Sequence, residues 1–338
     1  MKDNYPIDFV VTWVDSSDPE WIAEYEKYRP IKHQEDAARY RDWDLFKYWF
    51  RAVEKNAPWF NKVFLVTNGQ VPKWLNRDCP KLVLVKHSDY IPAQYLPTFS
   101  SRCIELNLGK IKGLSEHFVY FNDDMYINAP VTPDYYFKND LPVDFNYEKT
   151  SMMSVFHPKQ FFGTNLSLYC NIAVLNYHFN RRKVVKDAPF KWYGPHMSIK
   201  HLLTSIQLFK SDKFHGFINR HTEQPFLKSV FDEIWKSEPI MLEKSCSRFR
   251  AAENLTSYFA REWQLASNKF TPCKHRGVFF NIVEDTFDKL LQCLQNDKEK
   301  SICLNDTPKC SPEFYNKASV AIQQIMMKKY PEKSCFEL

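Results

Sequence analysis

The sequence predicts an α/β protein in which a mainly parallel sheet is flanked by helices and followed by a mostly helical C-terminal half. Three observations carry this. Through the first 136 residues, short β-branched and aromatic runs alternate with amphipathic stretches; polar residues gather directly after those runs; and beyond residue 194 the apolar spacing turns helical. At 338 residues the chain fits one large unit with insertions, its parts lying at 7–136, 137–193 and 194–338.

Residues 7–14 are β-branched and aromatic enough for a buried strand, which Asp15-Ser16-Ser17-Asp18-Pro19 ends. Over 42–56, Trp43, Phe46, Trp49, Phe50 and Val53 recur at helical spacing, and Pro58 closes the pattern. Residues 62–67 read as the second strand, with Asn68-Gly69 supplying the turn, and 81–86 as the third. After Thr98-Phe99-Ser100-Ser101, serine can cap a helix running toward Gly109 or Gly113, and 117–121 make a fourth strand. Further on, Met197, Ile199, Leu202, Leu203, Ile206 and Phe209 form the apolar face of a helix that begins near Pro195-His196. Helices are also expected over 225–236 and 248–266, and Ser311-Pro312-Glu313 opens a last one toward Lys329.

The composition, 44% hydrophobic and 16% aromatic, supplies ample apolar area for a core and argues against disorder. The net charge of +6 is scattered among acids rather than gathered into a stripe, which suits an anionic ligand or membrane surface and gives no sign of a nucleic-acid module. Nine cysteines without a Cys-x-x-Cys pair argue against a zinc site or a disulfide framework. The opening Met1-Lys2-Asp3-Asn4-Tyr5-Pro6 lacks the apolar run of a signal peptide and no stretch is long enough to span a bilayer, so a reducing cytoplasm is expected. With only seven glycines there is neither a Gly-x-Gly-x-x-Gly turn nor a phosphate-binding Gly-Lys-Ser/Thr loop, which disfavours a P-loop kinase.

In a parallel sheet ligands bind outside the carboxyl ends of the strands. Asp15 and Asp18 follow the first strand, Asn68 the second, and Asn122, Asp123 and Asp124 the fourth, so separate pieces of sequence converge on one rim. The adjacent carboxylates Asp123 and Asp124 suit a hard divalent cation, Mg²⁺ or Mn²⁺, although such pairs are also common as solvated turn residues. The guanidinium fork of Arg250 matches phosphate oxygens, and a plain surface arginine fits equally. His196 at a helix N-terminus would be held neutral as a base, against the commoner role of a structural donor. Glu105 either reaches the rim or is an exposed helical acid. Asn305-Asp306 after Ile302-Cys303-Leu304 reads as metal-capable oxygens closing a strand or as a capping turn.

Residues 7–19, Ile-Asp-Phe-Val-Val-Thr-Trp-Val-Asp-Ser-Ser-Asp-Pro, resemble the opening block of the Stealth family. Residues 66–76, Leu96-Pro97-Thr98-Phe99-Ser100-Ser101 and Phe121-Asn122-Asp123-Asp124 resemble its long second block. Gly194-Pro195-His196-Met197 with Arg250-Ala251-Ala252-Glu253-Asn254 resembles the third, and Cys303-Leu304-Asn305-Asp306 the fourth. The blocks keep the family's order over residues 7–310, with Ser16 where the family commonly has glycine.

The resemblance implies a Rossmann-like fold akin to glycosyltransferases of the A type. It also implies transfer of a sugar 1-phosphate from a UDP-sugar to a glycan or lipid-linked oligosaccharide acceptor, with peripheral contact at the inner face of the membrane. On that footing 7–136 binds the nucleotide-sugar, 137–193 is a variable acceptor-side insertion and 194–338 completes the active site. His196, Glu105 and Arg250 are the catalytic candidates, with His196 or Glu105 as base. Asp15, Asp18, Asn68 and Arg250 are expected on the nucleotide-sugar, and Asp124, Asp123, Asn305 and Asp306 at the metal. Two rivals stand beside this: a glycosyltransferase using the same carboxylates and releasing UDP, and a non-catalytic sugar-binding scaffold.

Overall fold

A computed structural model of the chain describes residues 5–30, 41–149 and 165–338. Eleven strands are present among these residues: β1 Ile7–Thr12, β2 Val63–Thr67, β3 Leu82–Lys86, β4 His117–Asn122, β5 Met125–Ile127, β6 Phe137–Lys138, β7 Leu141–Asp144, β8 Gln224–Leu227, β9 Thr271–Pro272, β10 Val278–Asn281 and β11 Ser301–Asn305. The main sheet has the order β3-β2-β1-β4-β8. Its first four strands are parallel and β8 is antiparallel to β4. The α/β class read from the sequence therefore holds.

Helices cover both faces of this sheet, so β1, β2 and β4 are apolar along nearly their whole length and Phe9, Val10, Val11, Val63, Leu65 and Phe121 are inaccessible. Asp8 is the buried exception. Its carboxylate accepts from Asn61 Nδ2 at 2.7 Å and from the backbone N–H groups of Lys62 (3.2 Å) and Ser115 (2.8 Å), pinning the starts of β1, β2 and β4 together.

Several element boundaries depart from the sequence reading. The helix expected from residue 42 begins at Phe46, because Asp44 takes φ +51° and its N–H turns back to Asp42 Oδ1 at 2.7 Å. The segment expected as helix from 225 enters as strand β8, and only Lys228–Ser237 is helical. Here the open edge of β4 outweighs local propensity, and an edge strand tolerates Pro225. Gln264, from the helix Ser257–Ala266, seals the outer edge of β8: its Oε1 accepts from Leu227 N at 2.9 Å and its Nε2 donates to Pro225 O at 3.3 Å. The helix expected over 248–266 starts only at Ser257, since Ser247–Ala251 is bound to another segment, as described below.

The helix Ile199–Gln207 is capped by Ser198, so His196 lies in the preceding turn and not in the helical first turn that was expected to hold it neutral. Its apolar face is also turned around. Ile199, Leu203, Ile206 and Phe209 are 80%, 55%, 53% and 65% exposed, whereas Met197 and Leu208 are buried.

A second sheet, β10-β11-β5, stands beside the main one, and a third, β6-β7-β9, closes the other side. Of the insertion expected over 137–193, residues 150–164 lie outside the described residues. Among the described residues no helix is long and apolar enough to cross a membrane.

Candidate active site

The carboxyl ends of β1, β2 and β4 form one rim, and the first two are latched by a residue the sequence reading passed over. Gln70 accepts from Asp15 N at 2.9 Å and donates from Nε2 to Asp15 O (2.8 Å) and Asp18 Oδ2 (2.9 Å). Asp15 Oδ1 meanwhile takes the Ser17 N–H and hydroxyl at 2.9 and 2.6 Å, and Asp18 caps the helix Pro19–Tyr28 through Glu20 N. The Gln70 hydrogen bond, followed by that of Glu20, lowers Asp18 below the usual carboxylate range. Asn68 accepts from Gln70 N at 3.4 Å, and Gly69, at φ +120°, provides the backbone conformation that brings Gln70 round. Asp15, Asp18 and Asn68 thus hold the rim's shape, and their backbone and side-chain bonds are largely internal.

At the end of β4 the chain turns through Asp123 and Asp124 straight into β5, which pairs antiparallel with β11. Leu304 N donates to Asp124 O at 2.8 Å, so Cys303-Leu304-Asn305-Asp306 is drawn onto Asn122-Asp123-Asp124. Three ligand-capable side chains meet there, Asp124, His221 and Cys303, with their ligand atoms all within 4.8 Å of one another. His221 Nε2 lies 3.4 Å from Asp124 Oδ2 and 3.3 Å from Asn122 Nδ2, while Tyr120 donates its hydroxyl to Asn122 Oδ1 at 2.6 Å. The Cys303 thiol donates to Asp124 Oδ2 at 3.4 Å. Burial and the Asp124 charge push that thiol well above its ordinary range, so it serves Asp124 as a neutral donor.

Burial works to deprotonate His221, but the Asp124 charge, their hydrogen bond and the charge of Glu105 outweigh it, and His221 titrates above an ordinary histidine. Asp123 is exposed at the cleft mouth though crowded on its protein side. That crowding, then Asp124, drives its carboxyl up to about 7, a push that water at the mouth softens. Asp42 adds to it from across the cleft.

As a fit test for a divalent cation, the decisive atom is Asp124 Oδ1: it is buried and has no hydrogen-bond partner among the described residues. An oxygen and an imidazole nitrogen suit Mn²⁺ better than Mg²⁺, which prefers oxygen ligands throughout. Of the other oxygens read from the sequence, Asn305 donates to Asn281 Oδ1 at 2.7 Å, and Asp306 faces Arg41 (3.4 Å) and the Trp43 indole (3.1 Å). They stand beside this group and are bound elsewhere.

Glu105 is buried on the helix Ser101–Leu106, and its charge is felt at His221, Tyr120 and Tyr258, so it shares a field with Asp124. Arg250 donates from Nη2 to Ser101 Oγ at the start of that helix, and its charge too reaches His221. The contact belongs to a longer seam. Phe99 N donates to Arg248 O at 2.7 Å, Thr98 Oγ1 to Ser247 O at 3.2 Å, and Arg102 to the Ala251 carbonyl. Leu96-Pro97-Thr98-Phe99-Ser100-Ser101 and Arg250-Ala251-Ala252-Glu253-Asn254, remote in sequence, are therefore neighbours in space.

His196 lies in a cavity of about 370 Å³ lined by Tyr147, Ser198, His201, Arg220, Lys274 and His275, among others. Gly194 lets its ring come in close, for a Cβ there would stand 2.7 Å from His196 Nδ1. Burial lowers the His196 pKa, opposed only by a hydrogen bond to the Lys191 backbone, and Nε2 is buried without a partner among the described residues. His275 Nε2 is likewise unpartnered, and burial followed by the Arg220 charge lowers His275 to about 4. Arg220 is the link to the acidic end, being the residue before His221. Of the predicted residues, then, Asp124, Glu105 and Arg250 share one electrostatic neighbourhood with Asp123, and His196 lies in the cationic cavity next along the same strip of chain. His221, Cys303, Gln70 and Arg220 escaped the sequence reading because none stands at a recognisable ligand spacing.

Conserved region 1 of the Stealth proteins matches residues 5–33, and their conserved region 2 matches residues 39–144. The chain is 38% identical over 340 residues to the capsular polysaccharide phosphotransferase WcwK of Streptococcus pneumoniae, covering 98% of each protein. It is 37% identical over 336 residues to the exopolysaccharide phosphotransferase cps2G of Lactiplantibacillus plantarum, covering 98% of this chain and 96% of that one. To the receptor polysaccharide phosphotransferase WefC of Streptococcus oralis it is 36% identical over 339 residues, covering 98% and 99%. Among solved structures, the galactosyltransferase LgtC with donor and acceptor sugar analogues superposes at a TM-score of 0.36 and 8% identity, over 93% of this chain and 95% of that one. The bifunctional glycosyltransferase WbbM gives 0.37 and 10%, over 97% and 52%.

Proposed function

Since the chain belongs to the Stealth family of bacterial polysaccharide phosphotransferases, we propose that it moves a hexose- or N-acetylhexosamine-1-phosphate from a UDP-sugar to a glycan hydroxyl, releasing UMP. It is a transferase of phosphorus-containing groups. The setting is capsule or exopolysaccharide synthesis, with the enzyme cytoplasmic and its acceptor a glycan or lipid-linked oligosaccharide at the inner face of the membrane.

In this reading the acceptor oxygen attacks the β-phosphorus, forming a new P–O bond. The bond from that phosphorus to the oxygen bridging the two phosphates breaks, and UMP leaves with the electron pair. The acceptor's proton passes to His196 Nε2. The observation that carries the reading is this imidazole: it lines a cavity that also presents Arg220 and Lys274, burial keeps it neutral, and its Nε2 is buried with no partner among the described residues. Those cations suit the phosphate oxygens, whose charge grows in the transition state. Asp124 and His221, with Asp123 beside them, are the residues that would hold Mn²⁺ or Mg²⁺ when it binds, and such a cation supplies charge to the diphosphate and the departing UMP. Glu105 and Arg250 set the field around His221, and Arg250 is also suited to a phosphate arriving at the cleft mouth.

Incubation with a panel of UDP-sugars and a glycan acceptor, followed by nucleotide analysis and phosphorus NMR of the product, tests this. UMP and a phosphodiester linkage are expected. UDP with a phosphorus-free product would establish a glycosyltransferase instead, and tight donor binding without any product would establish a scaffold. His196→Ala should lower turnover by about 10²–10⁴-fold with donor affinity retained; full turnover would remove His196 as the base.

A further inference from the structure

The apolar stripe of the helix Ile199–Gln207 has no use in the chemistry above and is left exposed by the described residues. Ile199, Leu203 and Ile206 stand at i, i+4 and i+7, and Phe209 continues the line one turn beyond. They are between 53% and 80% exposed, and Phe190, on the separate short helix Pro189–Trp192, is 87% exposed. The opposite face of the same helix is built into the protein. Leu202 packs against the cluster of Phe145, Tyr147 and Met197, Ser205 is buried, and the His201 ring stacks on Tyr147 with centroids 3.8 Å apart.

The border of this stripe is cationic. Arg182, Lys183, Lys186, Lys200, Lys210 and Lys213 are all exposed, and Asp187 and Asp212 are the exposed acids in the same stretch. The helix Arg181–Asp187 is held against the end of Ile199–Gln207, because Arg181 donates from Nη1 to Leu208 O at 2.6 Å and from its backbone N–H to Asp212 O at 2.9 Å. Arg182, which donates to the Lys210 carbonyl, therefore borders the same surface. Exposed aliphatic and aromatic side chains rimmed by Lys and Arg are the features by which an amphipathic helix enters the headgroup layer of an anionic bilayer. A second copy of the chain is a poor occupant, for pairing the stripes would bring two cationic rims together.

We infer that this face docks on an anionic lipid bilayer, with the stripe Ile199, Leu203, Ile206 and Phe209 seated at the boundary between the headgroups and the acyl chains. Ser198 and His201, at the start of the same helix, line the cavity that holds His196, so docking holds that cavity about one helix diameter from the lipid surface. Only this orientation rests on the proposed lipid-linked acceptor. The docking itself is read without turnover.

Co-sedimentation of the full chain with vesicles tests it. Binding is expected to vesicles containing phosphatidylglycerol, with little to pure phosphatidylcholine. The triple variant Ile199→Ser, Leu203→Ser, Phe209→Ser should lose at least roughly tenfold in partitioning with an unchanged melting curve. The variant Lys200→Gln, Lys210→Gln, Lys213→Gln should weaken binding to the anionic vesicles and flatten its salt dependence. Equal binding by the apolar triple variant, or no vesicle binding by the unaltered chain, would overturn the inference. So would light scattering that shows a dimer dissolving into monomers in the triple variant. UMP release to a soluble acceptor, measured on the same variant, should persist, which separates failure of docking from failure of the proposed reaction.

Discussion

At Asp124 one carboxylate oxygen is committed and the other is not. Oδ2 receives the Cys303 thiol and faces His221, both at 3.4 Å, while Oδ1 is buried without a donor among the described residues. An orphaned buried acceptor costs about 1–3 kcal/mol, an expense that a bound cation would remove. Asp124→Asn keeps the shape and withdraws the charge, so the unaltered chain should melt higher when Mn²⁺ is added and the variant should not; an equal rise in both would exclude Asp124 as a ligand. Glu262 makes a second case of a buried acid. It is inaccessible, one oxygen accepts from Asn219 Nδ2 at 2.8 Å, and burial drives its pKa from 4.5 to about 7 against the pull of Asn219, Arg261 and Asn171. A raised carboxylate pKa means that the neutral acid is the native form. The stability it gives is fully present below the unfolded pKa and is lost as pH rises through about 7. Glu262→Gln should therefore match the unaltered chain in urea at pH near 4.5 and exceed it by on the order of 2–3 kcal/mol above pH 8; an identical gap at both pH values would refute the ionisation account. Nothing in the sequence marks Glu262, since burial of one acid within a helix has no signature of its own.

At the scale of elements, the strands of the main sheet were legible because a strand buried on both faces is apolar throughout, and the rim followed from the alternation of strand and helix. The errors came where tertiary structure overrides a local pattern. The edge of β4 captures Gln224–Leu227, and the seam with Thr98–Arg102 keeps Ser247–Ala251 out of a helix. In Ile199–Gln207 the period was readable, but a period does not say whether the apolar stripe faces protein or solvent. The apolar period put His196 at the helix N-terminus, whereas the helix begins beyond it at Ser198, and burial rather than the helix dipole lowers its pKa. The turn itself can be tested. A methyl group at residue 194 would sit 2.7 Å from His196 Nδ1 and 2.9 Å from Phe190 O, so Gly194→Ala must displace the imidazole. Displacing a reacting group by about 1 Å can cost 10²-fold in rate. In the proposed reaction UMP release should fall by roughly that factor, with some loss of thermal stability from the Phe190 carbonyl contact, and unchanged turnover would show that the ring's placement is not what Gly194 serves.

Over the whole molecule, the three stretches read from the sequence all contribute described residues to one main apolar core, from Ile7 to Phe336, with Phe145, Tyr147 and Met197 forming a small cluster of their own. Local periodicity carries no record of this, because the contacts that join the parts are made by residues far apart in the chain. The end of the chain is the clearest instance. Phe336 is inaccessible and its ring lies 4.9 Å from Phe50 and 6.1 Å from Phe60; its carbonyl accepts from Asn76 N at 2.8 Å. Next to it Glu337 receives Arg51 in a two-pronged ion pair at 2.7 and 2.5 Å, and that pairing raises the arginine pKa further. The last residues thereby close over the helix Phe46–Asn56 and the approach to β2, so the C-terminal half is fastened to the strands that form the rim. If the parts folded independently, emptying this pocket would loosen only the tail. If they form one cooperative body, Phe336→Ala should cost about 3–5 kcal/mol and shift a single unfolding transition, with far-ultraviolet dichroism and tryptophan fluorescence moving together. An early transition splitting from an undisturbed main one would instead show that the tail is a separate layer, and that the rim owes its stability to the first half alone.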